Sequence, residues 1–279
     1  PADWESLKDV ADRLLSSGIT PFSVAGGTDD AWTLTDWFEN VYLRTAGRER
    51  YQELARGEIR WTDPSVTHAL ERLAEIFARP DWIVGGASGA LQTTYEQSID
   101  NVFADPERPA AAMVLEGDFV ATRVPDSAKL GVEARFFAFP AIESSESTIV
   151  GVGGVAEPVD TGGDVAVLMN DDEHAKDLLR FLATPEAAEP WVRRGGFTSP
   201  NKGVDLDAYP DDETARAAAE LASAPSLSFD LTDLMAPEVG STPGKGMWHV
   251  LREFLADPSD PEGTAQRLEE ILRDADSGP

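Results

Sequence analysis

Four aromatic residues stand beside glycine and small polar residues where the chain changes direction. They are Trp32 after "AGGTDDA", Phe119 after "LEGD", Phe197 in "RGGFTSP" and Trp248 after "GKGM". A ring so placed can stack on an apolar C–H face; well-packed ring contacts are worth about 0.5–1.5 kcal/mol beyond the area they bury. Glycine lets backbone approach a ligand closely. Carboxylates and backbone amides can take a rim of hydroxyls, at roughly 1.5–3 kcal/mol for each hydrogen bond with a charged partner. Sugars present both kinds of surface. Aromatic side chains are also ordinary core material, and Trp4, Trp61, Trp82 and Trp191 read as core or surface-packing residues, as does one of the neighbours Trp37 and Phe38.

Other chemistries find less support. The 279 residues contain no cysteine, which removes disulfides, thiol catalysis and thiolate metal sites. His68, His174 and His249 are far apart and none has a ligand-like neighbour at helical or hairpin spacing, so no metal site is read. There is no Gly-x-Ser-x-Gly elbow and no phosphate loop, and "GVGGV" and "GGASG" lack the spacing of a dinucleotide loop. Acidic residues number 51 against 23 basic ones, a formal charge of −28. That disfavours nucleic acid and anionic membrane surfaces as partners, because both need a basic footprint. With so many carboxylates an acid/base pair cannot be singled out, so no catalytic residue and no cofactor is assigned.

The elements that would carry the aromatic positions follow from periodicity. Asp3 caps a helix with Trp4, Leu7, Val10, Leu14 and Leu15 on one face, ended by Gly18. "ITPFSVAG" reads as a short strand, "WTLTDWFENVYLRTAG" as a helix stopping at Gly47, and Asp63-Pro64 as the start of another that ends at Pro80. Residues 83–92 read as loop and 95–104 as helix. Strands are expected at 111–117, 131–140, 148–157 and 164–169, then helices through "DEHAKDLLRFLA" and "PEAAEPWVRRG", and near 211–223, 244–256 and 260–275. Alternation of strands and helices argues an α/β chain with short parallel strands. No apolar run approaches the length of a membrane span. The start at Pro1, without a signal peptide, reads as a processed product or an excised fragment.

Several stretches together resemble one family, the extracellular solute-binding proteins of ABC sugar importers, which includes the maltose- and oligosaccharide-binding proteins. "PADWESLKDVADRLLSSGITPFSVAG" is similar to the family's "P-x-T-W-x-E" helix followed by "K-x-x-G-x-x-P-F". "AAMVLEGDF" is similar to its "A-A-M-x-x-x-G-x-W" strand and turn, with Phe119 at the usual Trp. "TGGDVAVLMNDDEHAKDLLRFLATPEAAEPWVRRGGFTSPN" is similar to its later "G-G-D-…-F-L-x-F-L-x-S-x-E-…-P" stretch. The resemblance implies an α/β fold of the periplasmic-binding-protein type II, two lobes with hinge crossings and a cleft between them. Residues 1–161 and 201–279 would form the second, C-terminal lobe. Residues 164–200 would be a segment of the first, N-terminal lobe, whose opening part is missing. It further implies that Trp32, Phe119 and Trp248 face the cleft, with Gly162, Gly163 and Asp164 at a hinge crossing where amides and a carboxylate meet hydroxyls. The implied activity is capture of a sugar and its delivery to membrane permease subunits by a monomer, without cofactor. The protein would be extracellular, as a lipoprotein anchored at the membrane, or periplasmic. A carbohydrate-active hydrolase using two of the many carboxylates, and a ligand-sensing module, are the alternatives.

Overall fold

The computed structural model describes residues 1–142, 159–224 and 226–276. Helix α1 (Trp4–Ser16) starts as its sequence dictates. The Asp3 carboxylate accepts from the Ser6 amide at 2.7 Å, and the Asp3 amide donates to Ser6 Oγ at 3.1 Å, a reciprocal cap. Strand β1 (Phe22–Ser23) follows, then α2 (Trp32–Ala55). Gly47 does not stop α2. It takes φ +79°, kinks the axis, and the helix resumes to Ala55. Asp63 caps α3 (Pro64–Phe77) by accepting from the Ser65 amide at 2.9 Å. The presumed loop 83–92 contains a short helix, α4 (Gly86–Ala90), and α5 (Tyr95–Phe103) leads to β2 (Met113–Val114).

Next come β3 (Val159–Thr161), α6 (Glu173–Leu182), α7 (Pro185–Val192), α8 (Asp212–Ser223), β4 (Leu227–Phe229), α9 (Pro237–Gly240), α10 (Gly246–Ala256) and α11 (Pro261–Asp276). The core gathers where α2, α3, α10 and α11 pack. It contains Trp37, Phe38, Tyr42, Trp61, Phe77 and Phe254, together with Trp4 and Trp82 as expected. Both Trp37 and Phe38 are buried, because α2 is enclosed on more than one face.

Both described sheets are two-stranded and parallel. Phe22 and Ser23 pair with Met113 and Val114; Val159, Asp160 and Thr161 pair with Leu227, Ser228 and Phe229. Several expected strands are shorter or absent. The strand at 111–117 contracts to β2, and 131–140 forms only isolated bridges at Ala134 and, just beyond, Ala141. Residues 164–169 run without a ladder partner, leaving Met169 86% exposed. Backbone polar groups form a strand only when a neighbour answers them, and no described segment lies alongside. The expected strand at 148–157 falls outside the described residues. Strand β4 was not expected, since "SLSF" beside Pro225 is too short to show alternation.

Candidate functional site

A cleft of about 2020 Å³ opens between the helix starts of the core and the excursion that leaves through β3 and returns through β4. Trp32, Phe119, Gly162, Gly163, Asp164 and Trp248 all line it, as does Phe197. The fold brings these residues together from five separate stretches of chain. Trp32 is the first residue of α2. It meets Tyr95 at the start of α5 with ring centroids 5.3 Å apart, and Phe119 at 6.1 Å; Tyr95 and Phe119 are 5.9 Å apart. Phe119 is 39% exposed at the rim. Its ring folds back over Gly117, where a Cβ would fall 2.2 Å from Cε1, so this glycine makes room for the aromatic. Across the cleft Trp191 stacks on Phe197 at 4.5 Å, while Trp191 remains 55% exposed, a surface-packing residue rather than a core one. Thr198 Oγ1 donates to Asp118 Oδ2, tying the 196–198 turn to the 3-10 turn at Asp118–Thr122.

Trp248 is more buried than a rim platform. It is 8% exposed and packs in the core, and its indole Nε1–H is buried with no hydrogen-bond partner. The glycines at its helix start have a packing cause. Gly246 takes φ +54°, and a Cβ there would lie 2.2 Å from the Val239 carbonyl, so α10 can sit against α9 only with glycine at this point.

The acidic side of the cleft was not legible from spacing. Asp36, Glu39 and Asn40 fall on one face of α2, three and four residues apart. Glu39 is fully buried: it accepts from the Leu231 amide at 2.7 Å, the Thr232 amide at 3.2 Å and Thr232 Oγ1 at 2.9 Å. Tyr51 Oη lies 3.2 Å from Glu39 Oε2, 3.1 Å from Asp160 Oδ1 and 3.2 Å from the Phe229 carbonyl. Asn40 Nδ2 donates to Asp160 Oδ2 at 3.3 Å, and Arg44 donates to the Asn40 side-chain oxygen at 3.0 Å. Burial, then the neighbouring carboxylates, push Glu39 and Asp36 well above the usual carboxylate range. Burial and Asp230 raise Asp160 to about 7; burial and Asp233 raise Asp230 to about 6. Glu116, under the aromatic rim, is pushed by burial to about 8, with the Ser98 hydroxyl acting in the opposite direction. Gly162 lies against this group: a Cβ there would come within 2.6 Å of Asp230 Oδ2.

The arrangement offers rings for apolar faces and carboxylates and amides for hydroxyls. No metal-ligand spacing is visible along the sequence; the fold, however, brings three carboxylates into one group that could hold a cation. Glu39, Asp160 and Asp230 each place a carboxylate oxygen within 4.8 Å of the others, because Asp160 and the residue after β4 are brought to one helix face by strand pairing.

No family model matches the chain. Among curated proteins it is 31% identical over 243 residues to the osmoprotective compounds-binding protein GgtB of Synechocystis sp., covering 86% of this chain and 55% of that protein. It is 30% identical over 268 residues to the alpha-glucosides-binding periplasmic protein AglE of Rhizobium meliloti, covering 95% of this chain and 56% of that protein. The chain thus spans little more than half the length of these relatives. Among solved structures it superposes on a chitin oligosaccharide binding protein with TM-score 0.75 at 23% identity, over 100% of this chain and 65% of that one. The bacterial solute receptor AcbH, described as exclusive for β-D-galactopyranose, superposes with TM-score 0.76 at 22% identity, over 99% of this chain and 66% of that one. At that identity the two superpositions establish a common fold.

Proposed function

The chain belongs by homology to the solute-binding proteins of ABC importers, and from that premise we propose that it forms the greater part of a receptor that captures a sugar in the cleft and delivers it to a permease. The observation that carries the reading is the joining of Trp32, Phe119 and Trp248 on the wall of one cleft whose floor is acidic. Trp32 and Phe119 would meet the sugar's apolar faces. Trp248, mostly buried, would offer only the exposed edge of its ring. Gly162, Gly163 and Asp164 would meet hydroxyls at the crossing. The curated relatives are binding proteins, so the sugar would leave unchanged and the hydrolase alternative is set aside.

In this reading the chain crosses between lobes through the paired strands β3 and β4, residues 1–161 and 201–279 forming the second lobe and 164–200 a segment of the first. Its exposed Val165, Val167, Met169, Leu178 and Phe181 would be covered by first-lobe chain outside this sequence. Closure of the two lobes over the sugar by a hinge is the implied motion. The receptor would act as a monomer without cofactor, outside the cytoplasmic membrane, held there by a lipid anchor or free in a periplasm. The periplasmic name of one relative supports that placement.

The test is a titration of the protein, including whatever native sequence precedes Pro1, with α-glucosides, galactose and xylo- and chito-oligosaccharides, following tryptophan fluorescence. A saturable change with one sugar, weakened about tenfold or more by Trp32→Ala, is the expected outcome. A folded protein that responds to none of them would overturn the sugar reading.

A further inference from the structure

We propose that Glu39, Asp160 and Asp230, with Ser228 beside them, hold a calcium ion where β3 and β4 pass α2. Each of the three carboxylates offers an oxygen within 4.8 Å of the other two, a span that one ion can bridge with contacts of about 2.3–2.6 Å. The second observation is Ser228. It is 3% exposed, and its Oγ is buried with no hydrogen-bond partner. Ser228 is the register partner of Asp160 in the parallel pair, and directly opposed residues send their side chains to the same face. That face is the α2 side, because Asp160 reaches Tyr51 and Asn40 of α2. A buried hydroxyl without a partner, pointing to the side where three carboxylates converge, is what a missing ligand would leave.

Charge and donor type choose the ion. Three carboxylates in a partly enclosed place call for a multivalent cation. All donors are oxygens, with neither cysteine nor histidine in the group, which selects a hard ion. Tyr51 Oη adds a further oxygen. Its single proton cannot serve Glu39, Asp160 and the Phe229 carbonyl together, so lone pairs remain for an ion. The oxygens come from α2, β3 and the β4 end without octahedral regularity. Calcium accepts such a cage, whereas magnesium demands near-ideal geometry and keeps its waters.

The full chain is to be stripped with a chelator and its thermal midpoint followed as calcium chloride is added, with magnesium chloride at equal ionic strength as reference. The expected result is a saturable rise of several degrees with calcium, smaller with magnesium. Asp230→Asn should weaken the calcium response roughly tenfold or more while leaving the chelated midpoint close to that of the parent. It is the chosen variant because, among the described hydrogen bonds, none ends on the Asp230 carboxylate. Glu39→Gln is second, since Glu39 also caps Leu231 and Thr232. No calcium-dependent shift in the parent chain would overturn the site and leave the cluster neutralised by protons. An equal shift in parent and Asp230→Asn would overturn it too, as diffuse binding to the acidic surface.

Discussion

Glu116 shows how a single buried acid can be read from its partners. Ser98 Oγ lies 2.7 Å from the Tyr95 carbonyl and 3.0 Å from Glu116 Oε1, and it has one proton to give. If that proton goes to the carbonyl, Oγ is free to accept one from Glu116 Oε1, so a protonated Glu116 satisfies this contact, while its Oε2 stays buried without a partner, a place that disfavours a charge. Burial pushes it the same way, to about 8, with Asp30 as a minor like charge; Arg123 lies over Tyr95 and pairs with Glu96 instead. The native state therefore binds a proton that the unfolded chain releases near its ordinary value, and stability contributed by this group falls as pH rises from about 4.5 toward 8, by at most roughly 1.4 kcal/mol per unit. Glu116→Gln should remove that slope, so the variant gains on the parent between pH 5 and 8 in urea melts; a constant difference would refute the assignment. Gly162 allows a second test. Gly162→Ala drives a methyl into Asp230 Oδ2 and should cost about 1–3 kcal/mol. In an Asp230→Ala background most of that cost should vanish, a coupling that chemical denaturation of the four proteins measures.

Among the elements, most helices were legible and the strands only in part: β1 and β2 fall inside expected strands, whereas α4 lies in a stretch that reads as loop. Caps fixed the helix starts: Asp3 at α1 and Asp63 at α3 each hold a backbone amide as their residue type implies. Asp63→Ala should therefore cost α3 about 1 kcal/mol, read as a lower midpoint with an unchanged far-ultraviolet signal. Gly47 misled because the same positive φ that ends most helices can also kink one whose far side, through Tyr51 and Leu54, still has core to bury. The strands failed for another reason. Two- and three-residue strands carry no period, and pairing partners such as Asp160 and Ser228 lie 68 positions apart in the numbering. The aromatic rim could be found because rings beside glycine stand out locally. The acidic floor could not, since Glu39, Asp160 and Asp230 meet only after β3 and β4 pair, and nothing distinguishes them from the other acids of so acidic a chain.

At the scale of the molecule, two forces act on the same surface with opposite responses to salt. The formal charge of −28 sets acidic groups against one another across the folded chain, and self-repulsion destabilises a compact state. Among the described residues most ion pairs are exposed and short in sequence range, such as Arg56–Glu58 and Arg180–Asp177, and pairs of that kind contribute little. Adding sodium chloride shortens the Debye length from about 10 Å at 0.1 M to about 3 Å at 1 M, so screening removes more repulsion than attraction and the thermal midpoint should rise. The same screening removes what keeps two copies apart. Val165, Val167, Met169, Leu178 and Phe181 then lie uncovered on one excursion of the chain, an apolar patch of the kind that drives association. Light scattering of this chain should thus increase with salt even as its midpoint climbs. Phe181→Glu together with Met169→Glu should suppress the scattering without lowering the midpoint, because neither side chain is buried in the fold described. A midpoint that fell with the double change would mean that the patch already packs against this chain, and that no other segment is needed to cover it.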